Sequence, residues 1–291
     1  MYKYCNKWTP YLFIIPSAIL LMLFFFIPFF QTIIMSFKDY SSDLWTPLWI
    51  GFDNYKALLT SADFYKILLN TFIYLFVAVP VLAIVPLIVA VFLNQKIRCL
   101  NLYKILIYLP VIVSIVVAAI AFKWLYAEHG ILNYVMETIF HKNVGWLTDP
   151  NVALYSVIIV TIWKGIGYYM MIYLAALMGV PKDLYEAAEV DGANELQKHL
   201  TVTVPYIMPT IALVTTISSI SALKVFVEIF VMTKGGPINS TQTIVYYIYE
   251  RAFENLDLGI ASAAAVVLLI LVLGFSIINL LLFERINTNY E

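Results

Sequence analysis

Charge is the scarcest commodity in this sequence: 12% of its 291 residues are Asp, Glu, Lys or Arg, while 63% are hydrophobic. A soluble domain of that length needs far more polar surface, so a water-facing fold is excluded. The net charge of −1 provides no basic field to gather nucleic acid. Two isolated cysteines, Cys5 and Cys99, form no disulfide framework and lack metal-ligand spacing. The three histidines, His129, His141 and His199, are scattered and make no metal or catalytic set. No nucleophile–base constellation is present, so neither a catalytic residue nor a metal ligand is expected. The phosphate-cradling pattern G-x-x-x-x-G-K-[ST] is also missing, so no nucleotide cofactor is expected on this chain. Without internal repeats, low-complexity tracts or linkers, residues 1–291 read as one domain.

What the sequence has is long apolar runs. Crossing the hydrocarbon takes about 20 apolar residues, and six stretches meet that length: 11–37, 67–93, 102–126, 152–178, 203–232 and 258–283. A bilayer tolerates only helices or closed barrels, and no series of short alternating strands suggests a barrel. The expectation is an all-α integral membrane protein with six spans. Lys3 and Lys7 precede the first run, as in a secretory signal. That run is too long for a cleaved segment and lacks a small-x-small site, so it reads as an uncleaved span.

The cations set the orientation. Lys3, Lys7, Lys96, Arg98, Lys104, Lys182, Lys198 and Arg285 lie in short segments on one side. Lys38, Lys56, Lys66, Lys142, Lys234 and Arg251 are spread over long segments on the other. The positive-inside rule then puts both termini and the loop 179–202 in the cytoplasm. Trp8, Trp45, Trp49, Trp124 and Trp146 fall near span ends or in outer loops, where amphipathic rings anchor at headgroups. The stretch 241–254 is amphipathic at helical spacing and is expected along the outer surface.

Loop 179–202 is the most informative segment. Pro181 suits the start of a helix, acids follow in its first turns, and Gly192 permits a left-handed turn before a second short helix. These features predict a helical hairpin. Its run Glu186-Ala187-Ala188, Gly192, then Val202-x-Val204-Pro205, resembles the E-A-A-x3-G-x9-I-x-L-P loop of binding-protein-dependent ABC importer permeases. Val202 and Val204 depart conservatively from that pattern. Asp191-Gly192-Ala193 is similar to the D-G-A form of the sugar permeases. A second segment, Phe226-x-Glu228-x-Phe-Val-Met-Thr233-Lys-Gly235-Gly236-Pro237, resembles their F-D-x5-T-x-G-G-P, with Glu228 read as standing for the Asp.

The resemblance implies a type I ABC importer permease fold in the cell inner membrane. Loop 179–202 would be a cytoplasmic coupling helix: Glu186 would pair with a basic residue of an ATPase subunit, Ala187 and Ala188 would fill its groove, Gly192 would set the turn, and Asp191 and Ala193 would belong to the same coupling site. It also implies a second permease subunit, two ATPase subunits that hold ATP and Mg, an extracytoplasmic solute-binding protein, and a sugar-like solute. An ion-coupled secondary transporter is the alternative from another class; it needs midplane carboxylates and repeated halves.

Polar groups inside the spans are the candidates for the solute path. Trp163, Lys164, Tyr168 and Tyr169 lie along the fourth span, where aromatic faces suit sugar rings. Lys164 is equally read as pairing with a carboxylate or with backbone carbonyls of a neighbouring helix. Lys224 and Glu228, four apart on the fifth span, are placed to pair with each other or to meet solute.

Overall fold

The computed structural model describes residues 9–40, 46–95 and 98–287. Lys3, Cys5, Lys7, Trp8, Trp45 and Lys96 fall outside the described residues, as does the side chain of Arg285. The described chain is overwhelmingly helical. It begins with α1 (Thr9–Leu21), a π-helical turn (Met22–Phe26) and α2 (Ile27–Met35), followed by the antiparallel pair β1 (Lys38–Asp39) and β2 (Leu48–Trp49). Next come α3 (Asp53–Thr60), α4 (Ala62–Leu93), α5 (Leu100–Ile112), α6 (Ile115–Leu125), α7 (Ile131–Phe140) and α8 (Ala153–Leu177). After these follow α9 (Lys182–Val190), α10 (Glu195–Lys198), a π turn (His199–Thr203), α11 (Val204–Tyr206), α12 (Met208–Leu223) and α13 (Val227–Met232). The chain closes with α14 (Ile244–Tyr249), a π turn (Glu250–Glu254) and α15 (Leu258–Asn287).

Among the described residues, five segments are long and apolar enough to cross a bilayer: Tyr11–Met35, Ala62–Leu93, Ala153–Leu177, Met208–Met232 and Leu258–Phe283. The sixth expected span, 102–126, is not one straight helix. It is the pair α5 and α6, bent by 95°. Pro110 lacks the N–H that would continue the helical ladder, and Val113 and Ser114 are extended, with ψ of 133° and 137°. The expected span 203–232 is likewise interrupted, at Lys224–Phe226 between α12 and α13.

The chain forms two compact units, Met1–Ser61 with Ile248–Val267, and Ala62–Tyr247 with Leu268–Glu291. In the first, Asn54 ties the strand segment together by donating from Nδ2 to the carbonyls of Ser36 and Lys38, both at 2.9 Å. Phe37 stacks on Trp49 with centroids 5.7 Å apart and meets Phe52 edge-on.

The core of the second unit lies where α4, α8 and α12 meet. Tyr74, Ala78 and Leu82 from α4, Val157, Met170 and Tyr173 from α8, and Val214 and Leu223 from α12 are all buried there. Small residues set the spacing, as expected where lipid supplies no hydrophobic drive and close packing must hold helices together. A Cβ on Gly167 would lie 2.3 Å from the carbonyl oxygen of Ile107. That neighbour is backbone, so α5 itself would have to move. Gly167→Ala is therefore expected to cost about 1–3 kcal/mol, read as a lower unfolding temperature in detergent. Gly274→Ala, with nothing within 4 Å of its Cβ, is the control and should be near neutral.

The stretch 241–254 departs from its expected place. Thr241, Thr243 and Ile244 are fully buried and Tyr246 and Tyr247 nearly so, so the first half of the segment is interior. Its amphipathic spacing reports a face packed on protein, not on headgroups.

Candidate functional site

A cleft of about 390 Å³ opens beside the α5–α6 break in the second unit. Its polar lining consists of Thr161, Lys164, Tyr168, Tyr169, Ser218, Ser221 and Glu228; Leu82, Val111 and Ile217 supply apolar wall. Lys164 stands on α8 roughly 17 Å from the start of that helix and roughly 20 Å from its end, at 1.5 Å per residue. The cleft is thus at mid-depth of a span.

The break explains Lys164. A helix end leaves its last carbonyls without N–H partners, and in a bilayer no water replaces them. Lys164 Nζ donates to the carbonyls of Pro110 at 3.3 Å and Val111 at 3.1 Å, and also to that of Val113. Of the readings open for this lysine, the one with backbone carbonyls of a neighbouring helix is realised. Its charge also lies at the negative end of α5.

Glu228 is placed by different neighbours. Thr161 Oγ1 donates to Glu228 Oε1 at 3.1 Å. Because that hydroxyl has a single proton, the hydrogen bond between Thr161 and Tyr74 is donated by the tyrosine. The expected Lys224–Glu228 pair is not formed. The interruption at Lys224–Phe226 destroys the i,i+4 register, and Lys224 is exposed and does not line the cleft. Trp163 is also outside the cleft: it packs edge-on against Phe122 at 5.1 Å. Successive helical residues point about 100° apart, so Trp163 and Lys164 do not share a face, whereas Lys164 and Tyr168, four apart, do. Four of the six path candidates, Lys164, Tyr168, Tyr169 and Glu228, thus converge. The remaining polar lining, Thr161, Ser218 and Ser221, was not among those candidates.

The pattern's own spacing puts its Asp directly after Phe226, where Val227 stands. Glu228 is one position further. The T-x-G-G-P part of that segment is a tied loop. Thr233 and Thr241 share a hydroxyl bond of 2.7 Å, and Thr241 Oγ1 also donates to the Gly236 carbonyl at 2.7 Å. From α4, Lys66 donates to the Ile238 carbonyl at 2.6 Å, Asn70 to those of Asn239 and Gln242 at 3.0 and 3.1 Å, and Thr71 accepts from the Ile244 N–H at 3.1 Å.

The predicted helical hairpin is present as α9 and α10. Its turn is a helix cap of defined chemistry. Gly192 takes φ +80°, its N–H donates to the Glu189 carbonyl at 3.0 Å, and the Ala193 N–H donates to the Ala188 carbonyl at 2.9 Å. The spacing from Ala188 to Gly192 and Ala193 is that of the cap itself. Asn194 and Gln197 then form a capping box at 2.8 and 2.9 Å that starts α10. Lys198 bridges the arms, donating to Glu195 at 3.0 Å and Glu189 at 3.1 Å, and these bonds raise its pKa above the ordinary lysine value. At the base, Tyr185 and Thr203 share a bond of 2.7 Å and Tyr206 donates to the Gly179 carbonyl at 3.0 Å. Glu186, Ala187 and Asp191 are exposed, and Glu186 forms no ion pair among the described residues.

Comparison with known proteins agrees with this architecture. Residues 57–288 match the family model described as binding-protein-dependent transport system inner membrane component. The arabinooligosaccharides transport system permease protein AraP of Bacillus subtilis (strain 168) is 33% identical over 281 residues, covering 95% of this chain and 89% of its own. A chain in the crystal structure of a bacterial ABC transporter involved in the import of the acidic polysaccharide alginate superposes with a TM-score of 0.85. It is 27% identical, over 96% of each chain. A second crystal structure, of that kind of transporter in complex with an alginate pentasaccharide-bound periplasmic protein, gives a TM-score of 0.84 at 26% identity, over 97% of this chain and 96% of its own. The chain therefore belongs to the binding-protein-dependent inner-membrane components, the membrane-spanning permease subunits of ABC importers.

Proposed function

We propose that this subunit forms, with a second permease, the path by which a sugar or sugar-like solute enters the cell. An extracytoplasmic binding protein delivers the solute, and two separate ATPase subunits, holding ATP and Mg, drive the cycle. The observation that carries this reading is the mid-span cleft, where tyrosines, hydroxyls and one carboxylate offer ring faces and hydrogen-bonding groups to a polyhydroxylated ligand. The names of AraP and of the alginate transporters support the solute class. The hairpin of α9 and α10 is the contact for an ATPase subunit, with Glu186, Ala187, Ala188, Asp191, Gly192 and Ala193 at or beside it. Both chain termini then lie in the cytoplasm with the hairpin.

The test is uptake by proteoliposomes that contain the whole importer, supplied with its binding protein and a panel of labelled neutral and acidic oligosaccharides. Uptake is expected to require internal ATP and to survive collapse of proton and sodium gradients. Uptake that follows an ion gradient without ATP would establish the secondary-transporter reading instead.

A further inference from the structure

The charges around the cleft are unequal in what they leave available to a solute. Lys164 is the lining cation, and its ammonium has three protons to donate. Three carbonyls take them, those of Pro110, Val111 and Val113. Its three donors are therefore used by the backbone, and it has no N–H left to direct at a carboxylate or phosphate. Lys224 is exposed and outside the lining, so it does not take over that role.

Glu228 is in the opposite position. Thr161 Oγ1 donates to its Oε1 at 3.1 Å. Thr161 fills one of about four lone-pair sites on a carboxylate, so acceptor capacity remains beside the cleft. Ser218 spends its own proton on the Thr215 carbonyl at 3.1 Å. The fold does not dictate this balance, since a superposable chain serves a transporter for an acidic polysaccharide. Side chains at the cleft must set it, and Glu228 stands one position beyond the acid of the family pattern.

We infer that this cleft admits uncharged, hydroxyl-rich solutes and rejects anionic ones such as uronates and phosphorylated polyols, with Glu228 as the specificity-determining residue. The inference rests on the reading of the cleft as solute path. A solute hydroxyl donates to the carboxylate, while a solute anion meets like charge in a partly dehydrated space. Repulsion between unit charges a few ångströms apart there amounts to about tenfold to hundredfold discrimination.

The experiment uses the assembled importer in nanodiscs, with Cys5 and Cys99 replaced by alanine and Ser221→Cys as the reporter in the cleft. The rate of maleimide labelling is measured with millimolar maltotriose, xylotriose, tri-galacturonate or glycerol phosphate. Bypassing the binding protein confines the readout to this cleft. The neutral trisaccharides are expected to protect, and the two anions to need at least about tenfold higher concentration. Glu228→Gln, which keeps the shape and an acceptor, should narrow that gap, and Glu228→Asp should preserve it. Equal protection by anions in the parent, or an unchanged gap in Glu228→Gln, overturns the charge rule and leaves the solute path standing. Protection by none of the four overturns both.

Discussion

Glu186→Ala is expected to abolish solute uptake while the chain still inserts and its hairpin stays folded. Glu186 is exposed and forms no ion pair among the described residues, so its removal costs the subunit little. Alanine is moreover the better helix former at that place in α9. Any large effect must come from a partner. Truncating one member of an interfacial charge pair costs about 2–5 kcal/mol, equivalent to roughly thirtyfold or more in association. The check is co-purification of ATPase subunits together with uptake.

A companion variant separates contact from shape. Gly192 sits at φ +80° with open space around its Cβ, so Gly192→Val is strained by the backbone alone, by about 1–2 kcal/mol. It should open the cap that joins Ala188, Gly192 and Ala193, making the hairpin susceptible to protease, which Glu186→Ala does not. Normal uptake and a retained ATPase in Glu186→Ala would remove the coupling role.

The hairpin was legible in the sequence because its chemistry is local. Pro181, the acids after it and Gly192 mark a start and a left-handed stop within one short stretch, and the structure adds the capping box of Asn194 and Gln197 beside them. The apolar runs were legible for the same reason, since a span needs only length and composition. The two interruptions were not. The break at Val113–Ser114 is completed by a lysine more than fifty residues away, and no local pattern announces that partner. The break at Lys224–Phe226 contains neither proline nor glycine. There Phe226 stacks on Phe230 at 5.4 Å and on Tyr246 at 6.4 Å, so packing from a later segment accompanies the departure from helix. The stretch 241–254 looked like surface because the groups that satisfy the backbone at and just before its start, Lys66, Asn70 and Thr71, lie about 170 residues earlier. Trp163 is a different case. Helical geometry alone, legible in the sequence, separates it from Lys164.

Lys164→Met carries the other large expected effect, and it falls on folding before transport. Methionine nearly matches the length and volume of lysine, so no cavity is created and the change isolates the lost donors. The carbonyls of Pro110, Val111 and Val113 would face an apolar side chain at mid-depth of a span. Each buried acceptor left without a donor costs about 1–3 kcal/mol. The unfolding temperature of the purified subunit should fall by several degrees and the yield with it. Lys164→Arg, which keeps charge and donors on a bulkier head, should recover part of the loss. A lysine whose role was to hold solute would behave differently: the methionine variant would fold as the parent does and fail only in cleft protection. A lysine that pins a broken helix fails in stability first, because its three bonds hold the backbone at the 95° bend beside the cleft.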